Sequence, residues 1–259
     1  MINAEQMFLR GRVIPRVNKV SLTLHPGEVL AVLGPNGAGK SSVLKLLTGE
    51  LQCHEGRVLI GNTDIRDMDV GTLALHRAVL PQESMLAFNF RVSDVVMMGR
   101  SPHRGCSESF NQELVAWAMQ IVGVDLLANQ HYMDLSGGER QRVHLARVLA
   151  QIGRTPPTDC YLLLDEPTAA LDITHQHLVL TLARQLARTL RIGVLAILHD
   201  LNLAALYADR IALLKDGCLE AIGLPEDILT AAHLRSVFDV EASVLAHPHR
   251  SERLMVVTG

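Results

Sequence analysis

Aromatic side chains are scarce in this 259-residue sequence, at 3% of the chain. Stacking of exposed rings on nucleic-acid bases is thereby ruled out as a main mode of recognition. Positive charge is not in excess: the net charge is −3, and Lys and Arg form no long run. A broad basic face for phosphodiester backbones is missing, so no nucleic-acid partner is expected. Cysteine is limited to Cys53, Cys106, Cys160 and Cys218, each more than fifty positions from the next. No C-x-x-C pair exists, which excludes a zinc knuckle or redox dithiol and leaves four reduced thiols as the expectation. Long apolar runs are also missing. Val194-Leu195-Ala196-Ile197-Leu198 is typical of the apolar stretches, far short of the ~20 residues that cross a bilayer. Such runs have the length of buried parallel strands. The opening Met1-Ile2-Asn3-Ala4-Glu5-Gln6 has neither the basic start nor the apolar centre of a signal peptide. A soluble, cytosolic chain is expected.

Hydrophobic residues are plentiful, at 48%, enough for one large domain carrying a subdomain. Short β-rich runs alternate with amphipathic helical ones, the pattern of an α/β fold with a parallel sheet. Residues 29–33 predict a strand and 40–48 the helix after it, with 160–164 and 193–198 as further central strands. Residues 211–214 and 218–222, separated by Lys215-Asp216-Gly217, predict an edge hairpin with an Asp-Gly turn. Between about 83 and 152 the pattern turns helical, over 92–99, 113–122 and 138–151. This predicts a helical subdomain inserted in the α/β core of a single domain spanning 1–259. A short first strand and one late helix, 225–230 with Pro225 at its start, complete the prediction.

Chemistry is concentrated where strands end. Gly34-Pro35-Asn36-Gly37-Ala38-Gly39-Lys40-Ser41 fits G-x-x-x-x-G-K-S and lies between a predicted strand and a predicted helix. Its glycines let backbone N–H groups wrap a polyphosphate, and the helix start presents a favourable dipole to that charge. Lys40 supplies a point charge for the β- and γ-phosphates, and the Ser41 hydroxyl suits Mg²⁺. Tyr161-Leu162-Leu163-Leu164-Asp165-Glu166 is an apolar strand ending in two carboxylates. Asp165 can hold Mg²⁺ through water, and Glu166 can polarise the water that attacks the γ-phosphate. A nucleoside triphosphate and Mg²⁺ are the cofactors this pair of motifs calls for, and the resemblance set out next implies ATP.

Leu135-Ser136-Gly137-Gly138-Glu139-Arg140-Gln141-Arg142 resembles the signature motif of the ABC ATPases. Physically it is a second anion site, a Ser hydroxyl and glycine N–H groups at a helix start. The resemblance extends over residues 20–229 and implies a P-loop NTPase fold of ABC ATPase type. That fold has a mainly parallel core sheet, an antiparallel β subdomain and an inserted helical subdomain. It further implies that Ser136, Gly137, Gly138 and Glu139 close over ATP held on the loop of a second copy, residues 34–41 with Ser42. Gln82 matches the glutamine that senses Mg²⁺, and His199 the histidine that contacts the γ-phosphate. Ala170-Leu171-Asp172 matches the D-loop, with Ala169 where the family commonly has Ser. An aromatic near the N-terminus stacks on adenine in the family, and Phe8 or Arg10 is the candidate here, Arg10 by cation–π contact.

Within the family, three stretches resemble the importers that serve iron chelates, vitamin B12 and heme: Leu86-Ala87-Phe88-Asn89-Phe90-Arg91-Val92, Val96-Met97-Met98-Gly99-Arg100-Ser101-Pro102-His103 and His199-Asp200-Leu201-Asn202-Leu203-Ala204-Ala205-Leu206-Tyr207-Ala208-Asp209-Arg210. The last two, with Leu171-Asp172-Ile173-Thr174-His175-Gln176, resemble the heme importers above all. Siderophore and B12 importers are the nearest alternatives, ahead of an ABC ATPase acting on nucleic acid or ribosomes. The resemblance implies an integral-membrane permease dimer as partner and, indirectly, a periplasmic heme-binding protein. The chain then works peripherally, on the cytoplasmic face of the inner membrane. Met85, Leu86, Phe88 and Phe90 are either permease contacts or subdomain core. The twelve histidines are not expected to bind cargo or metal, because cargo passes through the permease.

Overall fold

The computed structural model describes every residue except Glu83, Ser84, Met85, Ala87, Thr158, Ala170 and Gly259. Met85 and Ala170 therefore lie outside the described residues. Strands β1 (Ile2–Leu9) and β2 (Val17–Leu24) bury roughly every second side chain, as strands of a one-sided sheet do. After β3 (Val29–Leu33) and α1 (Lys40–Thr48), the short strands β4 (Glu55–Ile60) and β5 (Thr63–Asp64) join them. The result is an antiparallel sheet of order β2-β1-β4-β5. The first strand is longer than its sequence predicts, because register shifts near Gln6 and Phe8 let it pair on both edges despite broken alternation.

The centre of the second sheet is built from runs with no exposed face. Helix α2 (Val70–His76) leads into β6 (Arg77–Leu80); helices α3 (Val92–Met97), α4 (Glu108–Val122) and α5 (Gly137–Ile152) follow before β7 (Tyr161–Asp165). Then come α6 (Ile173–Leu190), β8 (Gly193–Ile197), α7 (Leu201–Tyr207), β9 (Arg210–Lys215) and β10 (Cys218–Gly223). The order is β10-β9-β3-β8-β7-β6, parallel except for β10. Every residue of β3, β7 and β8 is buried. Alternate side chains enter two cores. Leu30, Val32, Leu163, Leu195 and Ile197 meet α1 and the antiparallel sheet on one face. Ala31, Leu33, Leu162, Leu164 and Ala196 meet α5, α6 and α7 on the other. The edge hairpin turns on Asp216 and Gly217, both at positive φ, the pairing an Asp-Gly turn supplies.

Helices α3 to α5 occupy the region predicted as helical. Ser107 caps α4, which starts five residues before its predicted beginning. Gly99 sits against the α5 backbone, where an added Cβ would lie 2.1 Å from the Arg147 carbonyl oxygen. Beside it Arg100, only 5% exposed, donates to the Ala150 carbonyl at 2.7 Å and the Asn111 side chain at 2.9 Å. Arg100→Met is expected to strand both acceptors and lower stability by about 2–4 kcal/mol. Urea unfolding measures this; a change below about 0.5 kcal/mol would show that the acceptors find water instead.

The end of the chain departs from prediction. Instead of one helix there are two short ones, α8 (Pro225–Ile228) and α9 (Ala231–Phe238), because Thr230 caps a new start by accepting from His233 N. A hairpin of β11 (Ala242–His247) and β12 (Arg250–Thr258) follows and lies against α7. Asn202 bonds both backbone groups of Val256, at 2.7 and 3.1 Å, and Arg253 donates to the carbonyls of Ala205 and Ala208 at the end of α7. No helix among the described residues is long and apolar enough to cross a membrane.

Candidate functional site

Gly34 to Gly39 connect β3 to α1 at the C-terminal edge of the parallel sheet, where open α/β sheets bind ligands. Gly37 and Gly39 adopt φ of 83° and 96°, which side-chain-bearing residues rarely reach. Gly39 also needs its bare Cα, since a Cβ would lie 2.4 Å from the Arg16 carbonyl oxygen. The edge hairpin braces the loop from behind: Gly217 N donates to Ala38 O at 3.1 Å, and its carbonyl accepts from Asn18 N at 2.8 Å. Lys40 is 6% exposed, and its ammonium donates to the Gly34 and Pro35 carbonyls at 2.8 and 3.0 Å. Burial pushes its pKa down, and the carboxylates of Glu166 and then Asp165 oppose that.

At the end of β7, two strands away, Asp165 is also buried, and Ser41 Oγ donates to it at 3.3 Å. Burial raises the Asp165 pKa, the Ser41 hydrogen bond lowers it, and neighbouring Glu166 raises it again. Glu166 turns the chain out of the strand at φ 50°. Its two carboxylate oxygens are each engaged: Gln82 Nε2 donates to Oε2 at 2.7 Å, and His199 Nε2 lies 2.7 Å from Oε1. Gln82 comes from just beyond β6 and His199 from just beyond β8, the strands flanking β7. Parallel pairing thus collects three polar side chains separated by up to 117 positions in sequence (199 − 82).

Residues 36–42, Glu166 and Arg16 line a cleft of roughly 310 Å³ beside these groups. Arg16 is the residue that sequence reasoning missed. Phe8 and Arg10 do not line the cleft: Phe8 pairs with Glu55 of β4, and Arg10 N donates to His54 at 3.4 Å. The difference arises in the β1–β2 connection, which doubles back so that Arg16 N donates to Leu9 O at 2.8 Å. The only signal in the sequence was an arginine-rich stretch punctuated by Gly11 and Pro15.

Ser136 to Glu139 line no part of that cleft. They start α5 with a reciprocal cap. Glu139 N donates to Ser136 Oγ at 3.4 Å, while Glu139 accepts from Ser136 N at 2.8 Å. Hydrogen bonds from the Ser136 side chain and backbone hold the Glu139 carboxyl below its usual range. Nothing lies within 4 Å of a Cβ built on Gly137, so the helix start is open to an incoming group. Asp172 caps α6 by accepting from His175 N at 2.9 Å and from the His175 ring. His177 bonds the Tyr207 hydroxyl at 2.7 Å. Leu86 and Phe90 pack on the core, whereas Phe88 is 72% exposed.

Comparison with known proteins gives a consistent result. The ABC transporter family profile matches residues 17–169. Hemin import ATP-binding protein HmuV of Gloeobacter violaceus is 50% identical over 245 residues, covering 94% of this chain and 89% of that protein. Its counterpart in Bordetella bronchiseptica is 46% identical, covering 99% of this chain and 98% of that one. Among solved structures, an inward-facing transporter described as metal-chelate type aligns at TM-score 0.83 and 27% identity, covering 100% of this chain and 96% of that one. A dimeric ATP-binding cassette bound to ADP and Pi aligns at TM-score 0.76 and 26% identity, covering 87% and 99%. The chain belongs to the ABC transporter family, as an ATP-binding domain that hydrolyses ATP.

Proposed function

We propose that this chain, residues 1–259 as a single ATPase domain, energises heme import as a homodimer bound to a membrane permease dimer. The observation that carries the hydrolytic part is Glu166, held between Gln82 and His199 at the rim of the phosphate cleft. A carboxylate so placed is fixed in direction and suited to accept a proton from an attacking water. Gln82 would orient that water, His199 would meet the terminal phosphate, and Lys40 would leave its carbonyl partners for phosphate oxygens. The loop residues Gly34, Pro35, Asn36, Gly37, Ala38, Gly39, Ser41 and Ser42 would cradle the polyphosphate. Oxygen donors suited to Mg²⁺ meet where Ser41 faces Asp165, and Gln82, bonded to the adjacent Glu166, would add its side-chain oxygen. Bound there, the ion would neutralise charge developing on the phosphates.

Two copies would be needed because Ser136, Gly137, Gly138 and Glu139 stand apart from the cleft of their own chain. With Asp172, they would complete the cleft of the other copy. Heme as cargo is supported by the hemin import relatives, which are 44–50% identical over nearly the whole chain. Exposed Phe88 is suited to permease contact, and Leu86 and Phe90 to holding its loop in place. The assembly would lie on the cytoplasmic face of the inner membrane and receive heme from a periplasmic binding protein. Reconstitution with the permease in proteoliposomes tests this. The heme-loaded binding protein should stimulate phosphate release severalfold over its empty form. Equal stimulation by siderophore- or cobalamin-loaded binding proteins would assign the chain to another cargo.

A further inference from the structure

We propose that Tyr207, held from α6 by His177, is a positioning residue for hydrolysis. Its hydroxyl fixes the far end of α7, and so the direction in which His199 leaves the sheet. This rests on the reading of His199 as the group that meets the terminal phosphate, and deepens it by naming what aims the histidine.

His199 lies between the end of β8 and the Asp200 cap of α7. With seven residues, α7 is too short to hold a direction by itself. Its sequence has two polar side chains, Asn202 and Tyr207. Asn202 is committed to β12. Tyr207 reaches α6 instead: its hydroxyl bonds His177 Nδ1 at 2.7 Å and accepts from Thr181 Oγ1 at 3.4 Å. With Thr181 as donor, a neutral imidazole takes the Tyr207 proton. His177 and Thr181 are one turn apart on α6, and Arg184 continues that face, donating to Leu206 O at 3.5 Å. Helix α6 is a firm anchor, eighteen residues long, capped by Asp172, with Val179, Leu180, Ala183 and Leu186 in the core. Tyr207 itself is buried. Phenylalanine would fill the same space, so what tyrosine adds is the hydroxyl and the angle it sets between the two helices.

Single-turnover phosphate release and equilibrium ATP binding test this on the full chain. Tyr207→Phe should slow hydrolysis about threefold to tenfold and leave ATP affinity within about twofold. His177→Gln, whose side-chain oxygen can take the Tyr207 proton, should keep most of the rate, whereas His177→Leu should lose as much as Tyr207→Phe. His177 is half-buried, so its variants test the bond even if Tyr207→Phe fails to fold. His199→Ala alone should be slower by about 10²-fold. In that background Tyr207→Phe should change nothing further, because the group it aims is gone. A helix contact that served only the fold would slow hydrolysis by the same factor with or without His199, and that result would overturn the proposal. So would an undiminished rate in Tyr207→Phe, or equal rates for His177→Gln and His177→Leu. Full hydrolysis by His199→Ala would instead remove His199 from the phosphate, and the proposal would fall with that reading.

Discussion

Glu166→Gln is expected to reduce ATP turnover by about 10²–10⁴-fold while leaving ATP binding intact. The substitution keeps the size of the side chain and can still bond Gln82 and His199, but the amide cannot take a proton from water. Lys40, Ser41 and the loop backbone are untouched, so the phosphates keep their binding partners. The nucleotide should accordingly remain bound and unhydrolysed. Single-turnover phosphate release, with equilibrium ATP binding as the companion measurement, separates the two effects. Turnover within about threefold of the unsubstituted chain would move the base to another group.

Lys40→Ala should act on binding instead, weakening ATP by at least about a hundredfold. Two causes add. The phosphates lose a buried cation, and they then face Asp165 and Glu166 without the charge that offsets those carboxylates. The loop also loses its internal tether, because the Gly34 and Pro35 carbonyls give up their ammonium donor. Unpairing them costs about 1–3 kcal/mol of stability if water does not replace the donor. A thermal melt shows whether the variant is folded, and affinity within about threefold would remove Lys40 from the phosphate site.

The phosphate loop could be read from the sequence because its conformation demands particular residues: Gly37 and Gly39 occupy backbone angles that exclude most others. Asp165 and Glu166 were legible for a related reason, a run of apolar residues that stops at two charges. The parallel core followed from runs such as residues 29–33, whose burial on both faces leaves no alternation to misread. Arg16 was hidden because its position depends on how the β1–β2 connection folds back, which is decided by a hydrogen bond to Leu9 and not by periodicity. The β11–β12 hairpin was hidden as well. Its sequence has no clean two-residue hydrophobic repeat, and β12 is tied to α7 by hydrogen bonds from distant residues. Long-range contacts of this kind leave little local trace.

The same hairpin is expected to give the end of the chain an influence on hydrolysis that its distance from Lys40 conceals. Helix α7 starts immediately after His199 and Asp200, and Asp200 caps it through Asn202 N and Leu203 N. The far side of α7 is strapped to β12 by Asn202 and Arg253. The hairpin is a splint for the histidine. A truncation upstream of Arg253 would leave the sheet and phosphate loop in place yet free the segment that aims His199 at Glu166. Such a truncated chain should bind nucleotide normally and turn over slowly. In an activity screen it would pass for an active-site variant.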